Sequence, residues 1–214
     1  MQASIHSYET HRQASIAAAE AVAAEIRRLI IERGLAVGIF SAEAELLDQL
    51  AANKTIEWTR VIGFHTFELL GADEDSPQSQ RKILLDHLVR RVPMAEFHGL
   101  RGEAANPDAV CVNYAELLKT RPPDFAVLTI GQSGELAAID SANCDFRDSS
   151  AVKLTASAIT LTIPTLMACR SLFVIAAGEQ LQTSAEGKIS ESYPASILRT
   201  HPGVHLYSSQ YRDR

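Results

Sequence analysis

His65 and Glu68 stand three residues apart, and Glu135 and Asp140 five. An imidazole beside a carboxylate can carry a proton to or from a substrate. Two carboxylates held together can do the same if one pKa is raised. These four residues are the candidate catalytic groups, and spacing alone leaves a plainer account open, in which they are solvated acids and a strand-end histidine that never meet. Gly131, Gln132, Ser133 and Gly134 form a further candidate. Two glycines around a small polar residue let backbone N–H groups turn toward a ligand, although a connecting turn has the same composition. Ser41 and Ala42 open a helix whose N-terminus could hold an anion, but Glu43 in the first turn would satisfy that dipole itself. Ser41, Ala42, Gly131, Ser133 and Gly134 are therefore the candidate ligand-binding residues.

The elements that must position these residues alternate. Thr10 to Arg33 is predicted as a long helix, with Ile16, Ala19, Val22, Ala23, Ile26, Leu29 and Ile30 at helical spacing and Gly34 as the stop. Ala36–Phe40 is a short continuous apolar run, the pattern of a strand buried on both faces. Ala42–Asn53 reads as a helix and Val61–His65 as a strand, with Glu57–Arg60 a candidate extension. Ser76 before Pro77 is a plausible N-cap for a helix reaching Arg91. Pro107 starts another helix, which Pro122 and Pro123 break. Phe125–Ile130, Ala158–Ile163, Leu172–Ala177 and Val204–Tyr207 read as strands. Strands alternating with helices imply one α/β domain over residues 1–214, three-layered and Rossmann-like, with a mostly parallel sheet. Ligands in such folds bind outside the carboxyl ends of the strands, where the candidate loops lie.

Composition bounds the function. The 214 residues are 46% hydrophobic and 21% charged, ordinary for a globular core. A net charge of −6 does not attract nucleic acid or anionic membrane, and a phosphate would need local cations. No apolar stretch approaches the roughly 20 residues that span a bilayer. Cys111, Cys144 and Cys169 fit neither a zinc spacing nor a disulfide framework, which points to idle thiols and a cytoplasmic location. G-x-S-x-G, H-E-x-x-H and Walker A patterns are missing, so neither metal nor cofactor is expected.

Several stretches resemble the glucosamine-6-phosphate isomerase/deaminase and 6-phosphogluconolactonase family. Pro194 to Pro202 is similar to the deaminases' C-terminal Pro-Ala-Ser-x-Leu…His segment. Phe125 to Gly134 resembles their strand followed by Gly-x-Asp-Gly-His. Ile159–Pro164 with Phe173–Gly178 resembles a later pair of strands, and Arg101–Ala104 with Pro107 and Tyr114 is similar to the lactonase branch. The resemblance implies a three-layer α/β/α fold, a sugar or sugar phosphate as ligand, and a homo-oligomer.

The functional positions depart from the family pattern. The deaminases' Gly-Gly phosphate loop falls on Ala42 and Glu43. Their Asp-Glu pair falls on Phe67 and Glu68, so the proton-transfer base is absent. Their Asp and ring-opening His become Ser133 and Glu135, and the acid that orients the His falls on Asp140. A phosphate-binding Lys falls on Leu181, and the lactonases' Arg on Ala158. The resemblance therefore implies a sugar or sugar-phosphate binding protein without standard deaminase activity, the alternative being an isomerase or lactonase-type hydrolase with altered catalytic residues.

Overall fold

Thr10 ends one element and begins the next. β1 (Ser4–Thr10) runs into α1 (His11–Arg33), where the Thr10 hydroxyl accepts from the Gln13 amide at 3.2 Å. The Gln13 side chain accepts the Thr10 amide at 3.3 Å in return. Reciprocal caps of this kind satisfy two otherwise orphaned donors. Gly34, at φ 77°, stops the helix as expected. Ala14, Ala18, Val22, Ile26 and Leu29 are fully buried along one side, whereas Ile16, expected in that stripe, is 36% exposed.

The structure, a computed structural model, describes residues 4–177 and 188–211. After α1 come β2 (Ala36–Phe40), α2 (Ala44–Ala52), β3 (Val61–His65), β4 (Phe67–Leu69) and α3 (Gln80–His87). β5 (Glu96–His98), α4 (Pro107–Thr120), β6 (Phe125–Thr129), β7 (Val152–Leu154) and β8 (Ala158–Leu161) follow. α5 (Ile163–Met167), β9 (Ser171–Ala177) and β10 (Val204–Tyr211) complete the described elements.

Seven strands form one sheet in the order β1-β10-β9-β6-β2-β3-β5. Every neighbouring pair in it is parallel. One face packs on α1, α2 and α3 through residues such as Phe40, Leu47, Leu84 and Phe125. The other face meets α4, α5 and a small second sheet through Phe64, Tyr114, Leu128 and Ile159. The expected three-layer architecture is borne out. No helix among the described residues is long and apolar enough to cross a membrane.

The structure corrects four local expectations. β8 does not join the main sheet: it is the centre of a separate antiparallel sheet, β4-β8-β7. Its two partners are three residues each, too short to announce themselves by periodicity. Trp58–Arg60 is a 3-10 turn, not an extension of β3. Ser79, not Ser76, caps α3, its hydroxyl accepting the Lys82 amide at 3.0 Å. β1 was not expected because an exposed edge strand carries no apolar run.

Candidate functional site

The strand order fixes where a ligand crevice can form. From β2 the chain adds β3 and β5 toward one edge, while β6, β9, β10 and β1 lie toward the other. The carboxyl ends of β2 and β6 therefore flank a topological switch point, the usual place for a crevice in such sheets. Ser41 and Ala42 leave β2 on one side, and Gly131, Ser133 and Gly134 leave β6 on the other. The Ser41 amide donates to the Val127 carbonyl at 3.0 Å, holding the exit of β2 against the middle of β6.

On the β2 side the helix terminus is already occupied. Glu43 is the N-cap of α2, and its carboxylate accepts the Leu46 amide at 2.6 Å. The same carboxylate meets His11 Nε2, at the start of α1, at 2.9 Å. An incoming phosphate would face a negative charge where it needs a donor.

On the β6 side the loop closes on itself. The Gly131 amide donates to the Glu135 carbonyl at 3.0 Å, and the Gly134 amide to the Gly131 carbonyl at 3.1 Å. The Ser133 amide donates to Glu135 Oε2 at 2.7 Å. Gly134 holds φ 83°, and a Cβ there would stand 2.3 Å from the Tyr193 ring. The Ala195 amide donates to the Gly134 carbonyl at 2.9 Å, so the C-terminal Pro194–Thr200 turn latches the loop. Within that latch, Ser196 Oγ exchanges hydrogen bonds with the Ser190 backbone. His201 accepts the Gly203 amide at Nδ1 and donates from Nε2 to the Cys169 carbonyl at 2.8 Å. These motif residues hold the fold.

β3 ends on His65 and β4 carries Glu68, and the fold keeps the two apart. His65 is wholly buried, and neither ring nitrogen has a hydrogen-bond partner among the described residues. Burial, helped by the nearby Arg81 charge, pulls its pKa down to about 3, so the ring is neutral at physiological pH. Glu68 is also fully buried, but its oxygens are engaged elsewhere. Oε2 accepts from the Ser79 hydroxyl at 2.7 Å and the Arg81 amide at 2.8 Å. Oε1 accepts from the Leu69 amide at 2.8 Å and the Gln80 amide at 3.0 Å. The carboxylate thus seats on the N-terminus of α3, and the two residues do not form the His–carboxylate pair that their spacing allowed.

Glu135 and Asp140 are not joined either. Asp140 is exposed and accepts the Ala142 and Asn143 amides at 2.9 and 3.2 Å, a loop-forming turn. Glu135 keeps its carboxylate within its own loop, with Oε1 free of hydrogen bonds among the described residues. Phe67 is half-buried on β4, paired with Thr160 of β8. Ala158 starts β8, fully buried; Leu181 lies outside the described residues.

Sequence reasoning missed Arg81. Its guanidinium is 8% exposed, donates to the Leu100 carbonyl at 3.2 Å and pairs with Glu103 at 3.0 Å. Burial works to raise the Glu103 pKa, but its own amide and the Arg81 and Arg101 guanidiniums hold it below the ordinary range. A signal existed: Arg81 falls in register with the buried Leu84 and Leu88, on the inward side of α3. Burial also disfavours the thiolates, pushing Cys144 up to about 11 and Cys169 up to about 12.

The model of the family described as glucosamine-6-phosphate isomerases/6-phosphogluconolactonase matches residues 9–206. The chain belongs to this family. It is 27% identical over 199 residues to the glucosamine-6-phosphate deaminase of Lactobacillus delbrueckii subsp. bulgaricus, covering 83% of this chain and 84% of that protein. With the deaminase of Lactococcus lactis subsp. lactis it shares 26% identity over 200 residues, covering 83% of each. Among solved structures, a monomeric glucosamine-6-phosphate deaminase superposes with a TM-score of 0.84 at 20% identity, covering 97% of both chains. A 6-phosphogluconolactonase from Shewanella baltica gives the same TM-score and identity, covering 97% of this chain and 98% of that one. Within the glucosamine-6-phosphate isomerase/6-phosphogluconolactonase family this chain keeps the scaffold.

Proposed function

We propose that this protein of carbohydrate metabolism binds a sugar or sugar phosphate in the crevice between β2 and β6 and does not carry out standard glucosamine-6-phosphate deamination. Deamination requires a base that moves a proton between adjacent carbons and a second group that opens the ring. The position of the first is Phe67, and its neighbour Glu68 is engaged by four donors. His65 is a neutral, weakly basic ring with no exposed surface. The observation that carries the proposal is the Glu43 carboxylate, which caps α2 where a phosphate would sit. It favours a ligand gripped through hydroxyls and loop amides over one gripped through phosphate.

The test pairs binding with turnover. Thermal shift against glucosamine 6-phosphate, galactosamine 6-phosphate, 6-phosphogluconate and the unphosphorylated sugars is expected to find a stabilising ligand. A ligand near 100 times its Kd adds about 2.7 kcal/mol. Ammonia release from glucosamine 6-phosphate should be absent in the same sample; steady release would overturn the proposal. Light scattering on that sample reads the self-association that the family resemblance implies.

A second reading has one observation in its favour. Glu135 stands at the position of the ring-opening His and retains a free oxygen, Oε1, on a half-buried loop. A carboxylate so placed could activate water against a sugar lactone. Lactone hydrolysis that disappears in Glu135→Gln, with binding retained, would establish this reading instead.

A further inference from the structure

A cavity of about 340 Å³ lies at the opposite end of the strands from the β2–β6 crevice. It opens where α2 ends, at Asn53 and Lys54, and where the chain approaches β3 and β5, at Trp58 and Pro93. Its apolar walls come from Ala51, Ile56, Val92 and the face of Trp58. The volume suits a ligand of roughly one ring.

The polar groups around it are mostly donors. Trp58 is 5% exposed, and its indole N–H is buried with no partner among the described residues. Asn53 Oδ1 accepts from Thr55, leaving its NH2 to donate outward. Lys54 is exposed and makes no ion pair among the described residues. Arg91 is tied to Asp48 and the His87 carbonyl, and the one acidic wall residue, Glu57, is matched by Arg60 at 2.8 Å. One cation is therefore uncommitted. The carbonyl end of α2, with no basic residue in its last turn, adds a partial negative charge that disfavours a dianion.

We propose that this cavity binds a small monoanion, a flat apolar body carrying one carboxylate, with Lys54 facing the charge, Asn53 supplying a neutral donor and Trp58 an apolar wall. The site is separate from the sugar crevice and does not depend on the function proposed for it.

Trp58 is the only tryptophan in the chain and lines this cavity, so its fluorescence is a signal from the cavity wall. The intact protein is titrated with benzoate, with benzyl alcohol as the uncharged analogue and inorganic phosphate as the charge without the ring. A saturable change in emission with benzoate, absent with the other two, is expected. Lys54→Ala, an exposed change that leaves the fold intact by circular dichroism, should raise the benzoate Kd about tenfold, equivalent to about 1.4 kcal/mol. A response that never saturates, an equal response to benzyl alcohol, or an unchanged Kd in Lys54→Ala would each overturn the proposal. A sugar or sugar phosphate bound in the β2–β6 crevice should not displace benzoate, so either site can fail without the other.

Discussion

Glu68 Oε2 accepts a hydrogen bond from the Ser79 hydroxyl at 2.7 Å, tying β4 to the residue that caps α3. Together with the Gln80 and Arg81 amides, this makes a buried carboxylate the second cap of that helix. Truncating it orphans several donors at once, each worth about 1–3 kcal/mol when buried and unpaired. Glu68→Ala should therefore cost about 3 kcal/mol, or roughly 6–12 °C of melting temperature for a domain of this size. Calorimetry checks it. A variant that melts like the wild type but loses ligand would instead make Glu68 a binding residue.

His65 should make the protein acid-sensitive. Its folded pKa is about 3 against an ordinary 6.5. Below 6.5 the unfolded chain takes up a proton that the folded chain refuses. The stability contribution is therefore complete above 6.5 and falls as pH drops toward 3, by about 1.4 kcal/mol per pH unit. His65→Leu should flatten that slope between pH 4.5 and 6.5, seen in urea midpoints across the range. Parallel slopes in the two proteins would contradict the buried neutral ring.

Removing Glu43 should open the anion seat. Glycine is a tolerated N-cap, so Glu43→Gly keeps α2 while uncovering its first amides. The variant should be stabilised by inorganic phosphate more than the wild type is, read by thermal shift. Equal shifts in both proteins would mean that the carboxylate does not guard the site.

Gly134→Ala should disturb the loop more than the helix ends. The residue would have to hold φ 83° and clear the Tyr193 ring. Strain of that kind costs about 1–3 kcal/mol, and here the relief is to move the loop off its latch. Faster amide exchange at Ser133 and Ala195 by hydrogen-exchange mass spectrometry is expected, and unchanged exchange would count against the latch.

How far the sequence could be read follows from burial. β2, β3 and β6 are buried on both faces, so each is an uninterrupted apolar run whose ends are visible at once. β4, β5 and β7 are three residues each, and β1 is an exposed edge, so none leaves a periodic trace. In the site, the type of Glu43 and its place in a first turn were enough to foresee a cap. The partners of Glu68 were not, because Ser79, Gln80 and Arg81 lie 11 to 13 residues on and come back only through the turn that starts α3. Arg81 was hidden for a related reason. A charged residue on an inward stripe looks like an outward one until its partners, the Leu100 carbonyl and Glu103, are in place.

β1 has one neighbour in the sheet, β10, and pairs with it from Ser4 against His205 to Thr10 against Tyr211. On the ribosome, then, the first strand has no partner until some two hundred further residues have been added. At about 5–20 residues per second that delay is roughly 10–40 s. Throughout it, the apolar side of α1 lacks Tyr207 and the rest of the sheet end it packs against. Closure of the sheet at this edge therefore waits for β10, the last described strand.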